Sequence, residues 1–448
     1  MPFLPITLKE MQDYGWSQPD FIIVTGDAYV DHPSFGAAII TRVLEAQGFN
    51  VAFLSQPNFK NCEDFKRFGK PRLGFLVSAG NIDSMVAHYS VAKRKRSYDY
   101  YSPGGKFGLR PDRASIVYSR LIREAYPDSP IILGGLEASL RRFAHYDYWD
   151  DCVMESLLVS SGADLLTYGM GENIIRKIAA LLDKGVPVNK IRDVRGTVWL
   201  GNKGDKIHFD YCGEWDWNKL KSDKEYYAKA FGVQYKNQDS CYGKALVEYY
   251  GDKMLVQNPP MPPLETDELD EVYALPYMRD YHPSYEKDGG VPAIEEIKFS
   301  ITANRGCFGG CAFCAITYHQ GREVRSRSKS SIVEEAKLMT KQDGFKGYIH
   351  DVGGPTANMY GFDCARKAQR GACRGKSCLF PRVCPSLKPD HRPQLELLAA
   401  LRRVPKVKHV FVASGIRPDL VAADRACGDR YIDAVARHHV SGQLKLAP

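Results

Sequence analysis

Three cysteines crowd one short segment, Arg305-Gly306-Cys307-Phe308-Gly309-Gly310-Cys311-Ala312-Phe313-Cys314, in the spacing C-x3-C-x2-C. Three thiolates on a tight loop can ligate three irons of a cubane iron–sulfur cluster. The fourth iron then has no protein ligand, and an open position is what separates a catalytic metal centre from a structural one. Gly306, Gly309 and Gly310 suit a backbone that must wrap closely around a bulky group. The competing reading is half of a zinc site completed by a distant His or Cys. Zinc sites usually pair two C-x2-4-C units, whereas this single triplet follows a strand and opens a βα repeat.

A second group, Cys364, Cys373, Cys378 and Cys384, has the spacing C-x8-C-x4-C-x5-C in a loop rich in glycine, lysine and arginine. Four thiolates there can close a structural zinc or an auxiliary cluster, with metal binding supplying the folding energy. The alternative is four free thiols in a mobile loop, and spacing does not separate zinc from iron–sulfur. Seven of the twelve cysteines fall between Cys307 and Cys384. In a chain without a secretory signal, such clustering suggests metal rather than disulfides. Cys62, Cys152, Cys212, Cys241 and Cys427 are scattered and read as ordinary thiols.

The elements that position these residues follow an α/β pattern. Strands are predicted over 21–26, 50–54, 73–78, 129–134 and 165–168, with helices over 36–47, 113–125 and onward from Glu172 to Leu182. This alternation predicts an open parallel sheet over residues 1–185, with ligands at the carboxyl ends of its strands. Asp27, Asp31, His32, Gly134, Gly135 and the run Gly169 to Glu172 fall at those ends. Residues 186–293 read as an irregular connection. It holds a small hairpin over Arg195 to Phe209 and a linker over 256–293 that contains the proline-rich stretch Asn258 to Pro263. From residue 294 to 448 a second α/β pattern follows, with strands over 296–302, 347–352, 409–413 and 442–446. Helices are predicted from Ser328, where residues 330–334 resemble a capping box, from Pro393 to Arg403, and after Pro418.

The triplet Cys307-x3-Cys311-x2-Cys314, with Phe313 before its last cysteine, resembles the signature of the radical S-adenosylmethionine (SAM) superfamily. The resemblance implies a [4Fe–4S] cluster that chelates SAM and splits it into methionine and a 5′-deoxyadenosyl radical. It also implies an electron donor of the flavodoxin or ferredoxin kind. Asp351-Val352-Gly353-Gly354-Pro355 is similar to the superfamily's GGE-type turn, with proline in place of the acidic residue, so Gly353 and Gly354 are expected against the methionyl group. Ser414 stands where the superfamily places a ribose or carboxylate contact, and Phe313 completes the expected SAM contacts. The run Gly26-Asp27-Ala28-Tyr29-Val30-Asp31-His32-Pro33, with Ile132 to Ser139 and Tyr168 to Glu172, carries a narrower resemblance to YgiQ-type radical SAM proteins over nearly the whole chain. The first domain is similar to the Rossmann-like cobalamin-binding domains of other radical SAM enzymes. The D-x-H-x-x-G motif that ligates cobalt is not met, however, since Asp31 and His32 are adjacent, so a relic scaffold is expected. The fold class implied is an N-terminal open parallel Rossmann-like domain followed by a partial radical SAM (β/α)6 barrel. Four barrel strands are counted where six are usual, so the chain reads as truncated relative to its family. An unpaired sheet edge and part of a missing adenosyl pocket are expected with that.

Three further sets are weighed without assignment. Arg322, Arg325 and Arg327 can pair with the SAM carboxylate or form a solvated edge. His438, His439 and Lys445 border the last strand. Gly169-x-Gly171-Glu172 lacks the third glycine of a phosphate-binding turn. Lys and Arg number 61 against 53 Asp and Glu, a net charge of +8 that permits an anionic ligand without demanding nucleic acid. No signal peptide and no apolar run of membrane-spanning length is present, so a cytoplasmic protein is expected. Three readings remain: a radical SAM enzyme, a metal-binding remnant that no longer turns over, and a tRNA- or other nucleic-acid-modifying protein. The last predicts a dedicated basic RNA-binding domain, and none is visible in the sequence.

Overall fold

The computed structural model describes residues 2–447, which divide into two compact units. The first runs to residue 238 and adds 243–261 and 276–294; the second takes 239–242, 262–275 and 295 onward.

The first unit is built on a nine-stranded sheet. Its parallel half comprises β1 (Phe21–Thr25), β2 (Val51–Ser55), β3 (Gly74–Ser78), β4 (Ile131–Leu133) and β5 (Leu165–Thr167), in the order β2-β1-β3-β4-β5. Every residue of β1 is buried, as expected for a parallel strand covered on both faces. Helices α1 (Gly36–Ala46), α2 (Ala114–Ala125) and α3 (Glu172–Asp183) lie where the apolar periodicity places them. This half is the Rossmann-like sheet that the sequence predicts.

Residues 186–293 are more ordered than expected, because four of the nine strands lie there. They are β6 (Thr197–Asn202), β7 (Tyr211–Asp216), β8 (Ala245–Tyr250) and β9 (Lys253–Gln257), which continue the sheet as β5-β6-β9-β8-β7. The hairpin expected over 195–209 does not form, since β6 pairs antiparallel with β5 on one side and with β9 on the other. The true hairpin is β8–β9. The stretch expected as a linker begins inside β9 and contains a helix, Thr266–Tyr273. Its first residues are held by Asn258, whose amide donates to the carbonyls of Arg192 and Val194 at 3.0 and 2.9 Å.

Glu248 on β8 is wholly buried and accepts from two neutral donors, the Ala144 N–H and the Tyr250 hydroxyl, each at 2.9 Å. Burial pushes its acid from the ordinary 4.5 up to about 7. The folded state therefore holds this proton more tightly than the unfolded one. The group's stabilising contribution is complete below pH 4.5 and is lost as pH rises through 7. Glu248→Gln is expected to exceed the wild type in stability by about 2–3 kcal/mol at pH 8, with the gap closing by pH 5. Urea midpoints at the two pH values check this.

The second unit carries short strands, four of them in parallel pairs, with helices between them, a partial barrel. Its strands are β10 (Ser300–Thr302), β11 (Asn304–Arg305), β12 (Arg325–Ser326), β13 (Tyr348–Ile349), β14 (Asp351–Gly353) and β15 (His409–Val410). β10 pairs parallel with β14, and β13 parallel with β15. The helices are α4 (Lys329–Met339), α5 (Arg392–Arg402), α6 (Pro418–Ala423) and α7 (Gly428–His438). Ile301, Ile332, Ile349, Leu398, Val410 and Tyr431 are among the residues of the apolar core that joins them.

Three details differ from expectation. Residues 293–297 are helical, so the first barrel strand starts at Ser300. The cap of α4 is Ser328, whose hydroxyl accepts the Ser331 N–H at 3.1 Å, so the capping box expected over 330–334 lies two residues too late. The strand expected over 442–446 is reduced to one parallel bridge between Ile416 and Leu446, and α7 precedes it unforeseen.

Candidate cluster and SAM site

The cysteine loop is an excursion tied at its base. β11 and β12 pair antiparallel, Asn304 with Ser326 and Arg305 with Arg325, so residues 306–324 leave and return at one place. Gly306 opens the loop at φ +78°, and a Cβ there would collide with the Glu323 carbonyl oxygen. The Cys307 N–H donates to the Gly321 carbonyl at 3.1 Å, and the Thr317 hydroxyl to the Cys307 carbonyl at 3.2 Å. Cys314 N–H donates to the Cys311 carbonyl at 3.0 Å, closing the last turn.

The sulfurs themselves show what the loop can hold. A Cβ placed on Gly309 would sit 3.3 Å from the Cys307 sulfur and 3.6 Å from that of Cys311, with Arg417 Nη1 at 3.8 Å. Glycine thus keeps open a cradle that two thiols flank. The Gly309 N–H donates to the Cys307 sulfur at 3.4 Å, Thr356 Oγ1 lies 3.5 Å from the same sulfur, and Arg417 Nη1 lies 3.8 Å from that of Cys311. A cation and an N–H donor beside the sulfurs suit a site whose cysteine-bound group carries negative charge. Among the described residues, no three His, Cys, Asp or Glu side chains converge on a single metal ion. Cysteine as the donor type on this loop, with glycine keeping the space between Cys307 and Cys311 open, fits a cysteine-ligated cluster. Phe313 projects from the loop, 84% exposed.

The expected SAM residues gather at the ends of the neighbouring strands. Gly353 ends β14, and a Cβ on it would collide with Ser414 Oγ. The Asp351 carboxylate accepts from the backbone N–H of Ala413 and Ser414 at 2.8 and 3.1 Å and from the Ser414 hydroxyl, so it locks the two strand ends together. A Cβ on Gly354 would lie 2.7 Å from Asn304 Oδ1. Asn304 is wholly buried, and neither its amide oxygen nor its amide nitrogen has a hydrogen-bond partner among the described residues. A buried amide left unsatisfied costs about 1–3 kcal/mol, so one that persists beside a site marks a place for a polar ligand group. Sequence reasoning missed Asn304, since an asparagine three residues before a cysteine carries no spacing signal.

A polar chain behind the loop also escaped the sequence. Asp424 Oδ2 lies 2.8 Å from His391 Nδ1, and Asn358 Nδ2 lies 3.1 Å from His391 Nε2. Asn358 then bonds both backbone groups of Arg417, donating to its carbonyl at 3.0 Å and accepting its N–H at 2.8 Å. Burial holds His391 below the usual imidazole range, so the neutral ring can accept at Nε2 while donating from Nδ1. Asp419 takes the Arg417 guanidinium in a forked pair at 2.6 and 3.0 Å. Together these contacts aim Arg417 at Cys311.

Other candidates are engaged elsewhere. Buried Arg327 pairs with Glu335 and donates to the Thr302 carbonyl at 3.1 Å; Arg325 binds Glu323 and Glu265 at 2.6 and 3.1 Å; Arg322 donates to the carbonyls of Cys373 and Lys376 at 3.0 and 3.1 Å. His439 is buried with Nδ1 2.7 Å from the Val410 carbonyl, and Lys445 is exposed.

In the first unit, the crevice at the β1/β3 switch point is filled. Arg110 lies there with Asp27 at 2.9 Å, Asp99 at 2.8 Å and the Ala79 carbonyl at 3.1 Å, and all three side chains are buried. Asp31 is paired with Arg42 and accepts the Met278 N–H at 3.0 Å, while His32 Nδ1 accepts the Ser34 N–H at 3.1 Å. The Gly169 N–H is taken by Ser139 Oγ at 3.0 Å.

The chain matches known proteins over most of its length. The family described as Radical SAM N-terminal matches residues 3–300. A UPF0313 protein of Clostridium botulinum (strain Kyoto / Type A2) is 54% identical over 448 residues, covering 100% of this chain and 69% of that protein. One from Clostridium perfringens (strain ATCC 13124) is 52% identical over 446 residues and is covered to 67%. Among solved structures, the radical SAM methyltransferase TsrM from Kitasatospora setae, with tryptophan and aza-SAM bound, aligns at TM-score 0.45 and 15% identity over 90% of this chain and 57% of that one.

Proposed function

We propose, from the premise that this chain belongs to the UPF0313 family within the radical SAM superfamily, that Cys307, Cys311 and Cys314 hold a [4Fe–4S] cluster used to cleave S-adenosylmethionine reductively. The observation that carries this reading is the Gly309 cradle, flanked by two cysteine sulfurs and faced by Arg417. Bound there, the cluster supplies the one electron that splits the SAM sulfonium into methionine and a 5′-deoxyadenosyl radical. The chain's own residues position and shield. Gly353 and Gly354, packed against Ser414 and Asn304, would border the methionyl end, and the unpartnered Asn304 amide would offer it a hydrogen bond. Ser414, held by Asp351, would contribute the ribose or carboxylate contact, and the exposed Phe313 would add an apolar one. Arg417 offsets negative charge at the Cys311 sulfur. A flavodoxin- or ferredoxin-like donor delivers the electron, and the cytoplasm is the compartment that keeps such thiols reduced. No helix among the described residues is long and apolar enough to cross a membrane.

The test is anaerobic reconstitution followed by dithionite and SAM. The proposal expects 5′-deoxyadenosine and methionine. Iron bound without product supports the remnant reading instead, and zinc on the three cysteines overturns the assignment.

Two further outcomes follow. Asn304→Ala is expected to raise the SAM KM about tenfold, the equivalent of one lost hydrogen bond, with iron content unchanged. Titration of SAM against initial rate checks it. Because Arg110 fills the switch-point crevice, incubation with hydroxocobalamin and desalting is expected to leave no cobalamin absorbance with the protein.

A further inference from the structure

Cys364, Cys373, Cys378 and Cys384 take no part in the site above, and their setting is not that of stray thiols. Residues 363–390 contain one four-residue helix, Lys367–Arg370, and otherwise turns and irregular backbone. Such a stretch has little with which to fold on its own. Its Leu379 and Leu387 pack with Phe308, Met359 and Leu420 in a small apolar cluster. Cys378 belongs to that cluster, and Cys364 and Cys384 pack against it, as does Cys307 of the first loop, so three of the four thiols border one apolar wall. Cys373 is exposed, and its carbonyl accepts from Arg322 Nη1 at 3.0 Å.

Two local features point to a ligating role. The Cys384 N–H donates to the Cys378 carbonyl at 2.8 Å, which joins these two cysteines in one turn. The Cys384 sulfur accepts the N–H of Ser386, two residues on. Gly309 makes the same i, i+2 bond to the sulfur of Cys307. N–H donors to sulfur are a device by which proteins tune cysteine-bound iron–sulfur clusters.

The surrounding charge agrees. Asp363 is the one acid from residue 363 to 388, whereas Arg366, Arg370, Arg374, Lys376, Arg382 and Lys388 are exposed cations and Lys367 is a buried one. A metal held by four thiolates carries net negative charge, which such a basic segment offsets. As with the cysteines of the first loop, these thiols do not converge on a single ion among the described residues.

We propose that Cys364, Cys373, Cys378 and Cys384 bind a second iron–sulfur cluster, fully ligated by protein, that staples this segment to the apolar wall. With four cysteine ligands it has no open iron and does not bind SAM.

The experiment removes the first cluster. The chain carrying Cys307→Ser, Cys311→Ser and Cys314→Ser is reconstituted with iron and sulfide, with equimolar zinc present, and desalted. About four irons and four sulfides per chain are expected to remain, and Cys378→Ser with Cys384→Ser is expected to abolish them. In the chain with its first loop intact, Cys373→Ser at an exposed position is expected to lower iron from about eight to about four per chain. Zinc in place of iron in the triple variant, or an intact-loop chain that never exceeds four irons, overturns the proposal.

Discussion

Cys311→Ala is expected to lose the cluster and to lower 5′-deoxyadenosine formation by more than about a hundredfold. Changes to the residues that merely support a metal ligand cost about 10–100-fold, and loss of a ligand exceeds that. Cys307, Cys311 and Cys314 are the whole protein ligand set proposed for this cluster, so two remaining thiols must hold a cubane through half its irons. The substitution also strands Arg417, whose Nη1 lies 3.8 Å from the Cys311 sulfur and whose backbone is held by Asn358. Iron, sulfide and 5′-deoxyadenosine measured on the same preparation check this, with exposed Cys152→Ala as the control that retains all three. Equal product from Cys311→Ala and wild type removes the cluster from the chemistry.

Gly306→Val is expected to destabilise the second unit by about 3 kcal/mol or more and to leave the cluster loop unable to load. Two costs add. A φ of +78° is a left-handed conformation that costs a β-branched residue about 1–2 kcal/mol or more. The added Cβ also meets the Glu323 carbonyl, a backbone atom held next to the β11–β12 pair, so no side chain can swing away to relieve it. Gly344→Val separates the two costs. Gly344 has φ +81° with nothing within 4 Å of an added Cβ, so it bears the conformational cost alone. Urea unfolding and iron loading of both variants measure the difference. Similar losses in both overturn the steric argument for Gly306.

Much of the candidate site was legible in the residues themselves. The cysteine triplet and its glycines lie within one loop, and ligand spacing inside a loop is a local property that the chain carries wherever the loop is placed. The five parallel strands of the first unit were equally readable, because a strand buried on both faces is a continuous apolar run such as Phe21 to Val24. Asn258 to Pro263 misled for the opposite reason. Proline excludes helix, but it does not reveal that Asn258 is bound to Arg192 and Val194 across the first unit.

What only the tertiary structure decided lies in contacts between distant positions. Arg417 reaches Cys311 across 106 residues, Ser414 reaches Asp351 across 63, and His391 reaches Asp424 across 33. The sequence marked Cys311 and Ser414 but paired neither with its partner, and it left Arg417, His391 and Asp424 among ordinary polar residues. The same holds for residues that looked functional and are structural: Asp27 is spent on Arg110, Asp31 on Arg42, and Arg327 on Glu335. Whether a charged side chain meets a ligand or a partner of its own chain depends on which strand ends become neighbours. Strand pairing is set by long-range packing, which the local pattern of residues does not encode.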